Sequence, residues 1–120
     1  VNIARRKLQQ AKIQAEVFTD DATRMQNAAG PFDLALDLGC FHSIENKADY
    51  LTQLDKILAP NGFWLMYGFF KPAPNPSAPG LVDADLNMIS AQAFTLLSRR
   101  DGFDKRQRPS AWFLYQKKDK

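Results

Sequence analysis

Three segments of the chain place their apolar residues at the three- and four-residue spacing of an amphipathic helix. They span residues 1–14, 45–58 and 83–90. The second is the clearest, because one apolar stripe runs along it and a proline- and glycine-containing turn follows. In the third, Asp83 is the predicted cap. The pattern therefore predicts three helices.

Apolar runs bounded by turn residues predict five strands. A short strand is expected at residues 17–18, and the nearly continuous apolar run FDLALDL, residues 32–38, predicts a strand buried on both faces. The run FWLMYGFF, residues 63–70, predicts a central strand. Residues 93–100 and 110–118 flank a polar turn and predict an antiparallel pair.

Strands alternate with helices until this last pair, which favours a three-layer α/β sheet. The segment KPAPNPSAPG, residues 71–80, contains four prolines and predicts a long surface loop. The chain has 120 residues, of which 45% are hydrophobic. That is enough for one modest core, so we expect a single domain over residues 1–120.

Charge and cysteine content exclude several classes of function. The formal net charge of +3 is a mild bias, which argues against a nucleic-acid partner. No apolar run approaches the ~18 residues of a membrane span, so no membrane partner is expected. One cysteine and one histidine cannot form an intrachain disulfide or a zinc site. The cytoplasm is the expected location.

In the order of its motifs, the chain resembles the C-terminal part of class I S-adenosylmethionine-dependent methyltransferases. FDLALDLGCFHSI, residues 32–44, is similar to that family's fourth-strand segment, and LDKILAPNGFWLMYGF, residues 54–69, resembles the helix, turn and fifth strand that follow. TDDA resembles the end of the third strand, and APGLVDADL and SAWFLYQ match closing segments. The resemblance implies a Rossmann-like sheet, mostly parallel with a C-terminal antiparallel pair. It also implies S-adenosylmethionine as cofactor and a small-molecule methyl acceptor as partner.

The resemblance assigns cofactor contacts to two strand ends. Asp21 would accept a hydrogen bond from the adenine amine, and the small Ala22 would let the backbone approach the ring. Leu38, Gly39 and Cys40 would contact the methionine part. Two plainer interpretations stay open: Asp20–Asp21 begins a turn or caps a helix, and residues 38–40 form only a tight strand-to-helix turn.

The resemblance assigns the substrate side to His42, Tyr67 and Phe69. His42 could line the pocket or act as a base, and the resemblance favours lining; a plain histidine at a helix start is the alternative. Tyr67 and Phe69 could equally be core residues. Cys40 is better explained as a small buried hydrophobe than as a nucleophile, and no catalytic residue is assigned.

Other candidate contacts are less specific. By resemblance, the loop 71–80 would overhang the acceptor pocket. Arg99, Arg100 and Lys105 could attract an anionic substrate, although a solvated surface explains them as well.

The family's Gly-rich turn after the first strand has no counterpart here, because no Gly-x-Gly occurs in the sequence. The chain therefore resembles an N-terminally truncated domain, roughly its last three-fifths. In the family the strand order is 3-2-1-4-5-7-6, so the strand at residues 32–38 would become an exposed apolar edge. Three outcomes are open: the short strand moves beside it, two copies associate or swap segments, or the chain is a fragment. Association into a homo-oligomer is favoured, because an uncovered apolar edge is costly in water.

Three interpretations of function follow. The first is a piece of a methyltransferase whose parent acts on a small molecule, with little activity of its own. The second is a non-catalytic dimerisation or binding module derived from a methyltransferase, which would be a homo-oligomer through the exposed sheet edge. The third is a different small α/β nucleotide-binding domain.

Overall fold

The computed structural model describes residues 2–17, 20–26, 28–72 and 78–118. Its helices are α1 (Asn2–Gln10), α2 (Lys47–Ile57) and α3 (Asp83–Ala91), with a 3-10 turn at Phe41–Ser43. Its strands are β1 (Phe32–Leu38), β2 (Leu58–Phe69), β3 (Phe94–Phe103) and β4 (Pro109–Lys117).

The four strands form one mixed sheet in the order β1-β2-β4-β3. β1 and β2 are parallel, whereas β4 is antiparallel to both β2 and β3. This is the 4-5-7-6 part of the strand order that the family resemblance implies. The α/β class, the central position of the 63–70 segment and the closing antiparallel pair are thereby confirmed.

The core lies on one face of the sheet, under α2 and α3. The largest residue there is Trp64, which is fully buried. Its ring contacts the rings of Phe41, Tyr50, Phe94 and Tyr115 at centroid distances of 5.3 to 5.9 Å. Because aromatic rings bury large apolar areas, this cluster dominates the packing of the helices on the sheet.

The expectation that β1 is buried on both faces is wrong. Leu34, Leu36 and Leu38 are 56%, 60% and 65% exposed. Only the alternate positions, such as Asp37, face the helices. These leucines continue across β2 and β4 as an apolar surface that we call the open face, formed by Leu34, Leu36, Leu38, Phe63, Leu65 and Leu114. Among the described residues no strand pairs with the outer edge of β1.

Helix ends differ from the sequence expectation in two places. The first helix ends at Gln10 rather than near residue 14, and it buries none of its residues. At α3, Asp83 is not the cap: the capping residue is Val82, whose backbone N–H donates to the carboxylate of Asp85 at 3.0 Å. The N–H groups at the start of a helix have no partner within the helix, so a carboxylate at the third helical position, here Asp85, can accept a hydrogen bond from the capping residue.

Two further expectations fall partly outside the described residues. Val17 lies in no strand, and Phe18 is outside the described residues. The loop prediction for residues 71–80 is confirmed at residues 71–72 and 78–80, which lie in no helix or strand. A single bridge between Phe70 and Leu81 flanks them. Residues 73–77 lie outside the description.

Candidate functional site

The turn that follows β1 is built around a buried carboxylate. Asp37 is 4% exposed, and it accepts hydrogen bonds from the backbone N–H of Cys40 at 2.7 Å and of Phe41 at 3.1 Å. The hydroxyl of Tyr50 on α2 donates to the same carboxylate at 2.7 Å. A buried carboxylate is tolerated when donors surround it in this way. Asp37 thus ties the end of β1, the turn and α2 together.

Gly39 is required at this turn by its backbone conformation. Its φ angle is +85°, a region that residues with a Cβ rarely adopt. A Cβ at this position would also meet the Cε1 atom of His42 at 3.3 Å. The missing side chain leaves the backbone of β1 open at its carboxyl end, where ligands bind in sheets of this type.

His42 is buried, and its ring lies against the ring of Phe69 at a centroid distance of 4.0 Å. Its Nδ1 atom is buried without a hydrogen-bond partner among the described residues. Burial lowers the pKa of His42; the negative charge of Asp37 opposes this shift, and the positive charges of Arg108 and Lys47 add to it. The imidazole is therefore neutral at pH 7.

Aromatic residues of β2 and β4 continue the wall beside His42. The ring of Tyr67 packs against Trp112 at 4.9 Å, and its hydroxyl donates to Ser110 Oγ at 2.8 Å. The guanidinium of Arg108 lies 3.9 Å from the centroid of the Phe69 ring, as in a cation–π contact.

The turn between β3 and β4 is organised by Asp104. Its carboxylate accepts from the backbone N–H groups of Arg106 at 2.8 Å and Arg108 at 2.9 Å, and from Arg108 Nε at 2.6 Å. These bonds lower the pKa of Asp104, with the Arg108 backbone bond as the largest cause. Because β4 begins beside the end of β2, with Ser110 opposite Phe69, the turn lies at the carboxyl edge of β1 and β2.

These elements enclose one open cleft of about 730 Å³. Its lining comes from the end of β1, the 3-10 turn, the end of β2 and the β3–β4 hairpin: Leu38, Gly39, His42, Tyr67, Phe69, Phe103, Asp104, Lys105, Arg106, Arg108 and Trp112. Five of the eight predicted site residues line it, namely Leu38 and Gly39 of the three predicted backbone positions and all three substrate-side residues.

The other three predicted site residues do not line this cleft. Asp21 is exposed in a turn, where its Oδ1 accepts from the N–H and hydroxyl of Thr23. These two bonds lower the pKa of Asp21, so it is ionised. Ala22 is half-buried against the core. The turn interpretation of Asp20–Asp21 is therefore present in the structure, and it leaves Asp21 Oδ2 without a hydrogen bond among the described residues.

Cys40 is a free, half-buried cysteine that packs against the core. Burial raises the pKa of its thiol, and the nearby Asp37 charge raises it further. A thiol that stays protonated is a poor nucleophile, which agrees with the expectation of a small hydrophobe.

Sequence reasoning missed Asp37 and, apart from Lys105, the hairpin residues that line the cleft. An acid inside an apolar strand two residues before glycine was the available signal for Asp37, since a buried carboxylate needs nearby donors. For the hairpin, local sequence gave no sign that Phe103 and Arg106 share a cleft with the end of β1, because strand pairing places them there.

Of the three cations proposed to attract an anion, only Lys105 lines the cleft. Arg99 pairs with Asp101 at 2.7 Å and lies over the Phe113 ring on the core side of the sheet. Arg100 lines a separate, smaller pocket. Strand alternation sends neighbouring side chains to opposite faces, so Arg99 and Arg100 cannot act together.

Among the described residues, no group of three or more His, Cys, Asp or Glu side chains is placed to hold a metal ion. No helix in this part of the chain is long and apolar enough to cross a membrane.

Solved structures share this fold at low sequence identity. The [4+2]-cyclase SpnF has a TM-score of 0.83 at 13% identity, over 100% of this chain and 63% of that one. The 1,6-didemethyltoxoflavin-N1-methyltransferase of Burkholderia thailandensis, with S-adenosylhomocysteine bound, has a TM-score of 0.76 at 18% identity, over 97% and 56%. The N-methyltransferase NodS of Bradyrhizobium japonicum, also with S-adenosylhomocysteine, has a TM-score of 0.72 at 14% identity, over 95% and 61%. This chain thus spans about three-fifths of their length.

No curated protein matches the chain at a significant level. The family model described as "Methyltransferase domain" matches residues 1–66, which is more than half of the chain. The strand order of the sheet and the fold of these structural neighbours agree with that match. The chain therefore belongs to the class I methyltransferase family, whose cofactor is S-adenosylmethionine.

Proposed function

We propose that this chain forms the acceptor wall and part of the cofactor site of a methyltransferase that acts on a small molecule. One observation carries the proposal: a cleft at the carboxyl edge of parallel strands joins the Leu38–Gly39 segment to His42, Tyr67 and Phe69. In open α/β sheets this edge is where ligands bind. A volume of about 730 Å³ is in the range of small-molecule sites.

The residues present suit part of S-adenosylmethionine. Asp21 Oδ2 is an exposed, ionised acceptor that receives no hydrogen bond from the described residues, which suits the adenine amine, and Ala22 beside it is small. The backbone of residues 38–40 would hold the methionine part, where Gly39 leaves room for close approach. When bound, the cofactor would supply an electrophilic methyl group carried by a sulfonium, with a neutral thioether as the leaving group.

The side chains of the cleft would orient the acceptor rather than activate it. Neutral His42 and the Phe69 ring form a firm wall, because the histidine is buried and the two rings are in contact. Tyr67 is fixed by the hydrogen bond from its hydroxyl to Ser110 Oγ and by its contact with Trp112. Alignment and removal of water are the main requirements of this chemistry.

We propose that the chain transfers methyl groups weakly or not at all by itself. The sequence has no Gly-x-Gly turn, so the contacts that such a turn makes with the ribose and with the methionine part would be missing, and residues 38–40 alone would hold the methionine part. Its single cysteine is a free thiol, which fits the reducing cytoplasm that we propose as its location.

The test is a calorimetric titration with S-adenosylhomocysteine, comparing the chain with Asp21→Asn and Asp20→Asn. Saturable one-to-one binding is expected, and Asp21→Asn should weaken it about fivefold or more, as for a lost hydrogen bond to a charged group. Asp20→Asn is the matched control, because it removes the neighbouring charge and should leave the affinity unchanged.

Absence of heat at millimolar ligand would reject the cofactor site in this chain. Equal effects of the two substitutions would reject the role of Asp21 and leave only its turn contacts with Thr23.

A second candidate function, self-association as a homo-oligomer, is favoured by the open face and the unpaired edge of β1. Exposed apolar strands at a sheet edge pair readily with another chain. Sedimentation over a range of concentrations should show a dimer, and Leu36→Lys should weaken it. Ile3→Lys, at an exposed position of α1, is the control. A monomer at all concentrations would reject this candidate.

A further inference from the structure

We propose that the acceptor bound in this cleft is a planar aromatic anion. The inference rests on the proposed function, because it names the class of acceptor for the same cleft. It depends on the charge of the β3–β4 hairpin and on the aromatic wall that faces the same space.

The hairpin gives the cleft an excess of positive charge. Lys105, Arg106 and Arg108 line it, against the single carboxylate of Asp104. His42 adds no charge at pH 7, because its pKa is lowered by burial. The excess is therefore two positive charges at one end of a small cleft.

Two of these cations are available to a ligand. The Asp104 carboxylate already accepts hydrogen bonds from the backbone N–H groups of Arg106 and Arg108 and from the guanidinium of Arg108. Lys105 and Arg106 are exposed, and in the described part of the chain neither side chain forms an ion pair. Arg108 is fixed by Asp104 and Phe69, so its role is to hold the wall.

The remaining surface of the cleft is aromatic. The rings of His42 and Phe69 pack together, as do those of Tyr67 and Trp112, and both pairs line the cleft. Phe103 at the hairpin is 69% exposed. Flat ring surfaces bind planar apolar groups well. A ligand that meets both features has a ring system against this wall and a carboxylate or phenolate near Lys105 and Arg106.

Two other anionic partners fit less well. A nucleic acid needs a longer basic surface, but Arg99 is paired with Asp101 on the other side of the sheet. A simple inorganic anion would leave the aromatic wall uncovered. The open cleft, with a volume of about 730 Å³, has room for a molecule of a few rings.

The test compares 2-naphthoate with its neutral analogue 2-naphthamide, both titrated into the isotope-labelled chain and followed by NMR. The indole N–H of Trp112 and the backbone N–H of Gly39 report on the cleft. We expect 2-naphthoate to bind at least about fivefold more tightly, since one unit charge at ~4 Å in water corresponds to roughly that factor. Raising the salt concentration should reduce the preference.

The variant Lys105→Gln/Arg106→Gln removes the two available cations without touching the wall. It should abolish most of the preference for 2-naphthoate, whereas Arg6→Gln/Lys7→Gln, an equal charge change on exposed α1 positions, should retain it. Equal binding of both probes, or a preference that survives the hairpin substitutions, would overturn the inference. The S-adenosylhomocysteine titration is independent of either probe, so failure of the cofactor site is recognised separately.

Discussion

Replacing Asp37 by asparagine should destabilise the protein strongly, although the two side chains have the same shape. Each carboxylate oxygen accepts hydrogen bonds, one from the Cys40 N–H and the other from the Phe41 N–H and the Tyr50 hydroxyl. An amide has one acceptor oxygen, so its NH2 group must face at least one donor. The Tyr50 hydroxyl can rotate to accept, but a backbone N–H cannot.

The magnitude follows from the bonds that change. A hydrogen bond to a charged group contributes about 1.5–3 kcal/mol, a neutral one about 1 kcal/mol, and a buried donor left without a partner costs about 1–3 kcal/mol. Relief from burying a charge offsets part of this loss. We therefore expect the free energy of unfolding to fall by about 2–4 kcal/mol in Asp37→Asn.

The assay is equilibrium unfolding in urea followed by far-UV circular dichroism, at one fixed protein concentration. Tyr50→Phe is the matched control, because it removes a single donor and leaves both backbone bonds of Asp37 in place. It should cost about 1–2 kcal/mol. A loss below about 0.5 kcal/mol in Asp37→Asn would refute the view that Asp37 holds this turn. A loss in Tyr50→Phe that exceeds the loss in Asp37→Asn would refute it as well.

Three further predictions concern the same turn. Gly39→Ala should lower the free energy of unfolding by about 1–2 kcal/mol, because the φ angle of Gly39 is positive. Gly102→Ala is the control: a Cβ there meets open space, so the free energy of unfolding should change by less than about 0.5 kcal/mol. Equal urea midpoints of the two variants would contradict this prediction. Because the pKa of His42 is lower in the folded protein than in the unfolded chain, the unfolded chain binds a proton more readily as the pH falls. The free energy of unfolding should therefore be highest above the unfolded pKa of about 6.5 and should decrease as the pH drops below it. An NMR titration showing a pKa at or above 6.5 would contradict that. The raised pKa of Cys40 predicts slower alkylation by iodoacetamide at pH 7.5 than in urea-unfolded protein, and equal rates would contradict it.

The elements that depend on local spacing could be predicted from the amino-acid sequence. The apolar stripe of α2 and the runs that became β1, β2 and β4 could be read directly, because burial of one helical face or one strand side imposes its period on the sequence. Gly39 was also recognisable, since a glycine after an apolar strand indicates a special backbone conformation. The family resemblance added the pairing order of the sheet, which spacing alone does not give.

Long-range packing fixes which side of each strand is covered and which residues far apart in the sequence line the same cleft. FDLALDL is apolar at nearly every position, so the sequence predicted burial on both faces. The open face appeared because α2 and α3 pack on the opposite side and no described element covers Leu34, Leu36 and Leu38. The hairpin cations reach the end of β1 through strand pairing across about seventy residues of chain. Such contacts depend on long-range packing, which leaves no local pattern in the sequence.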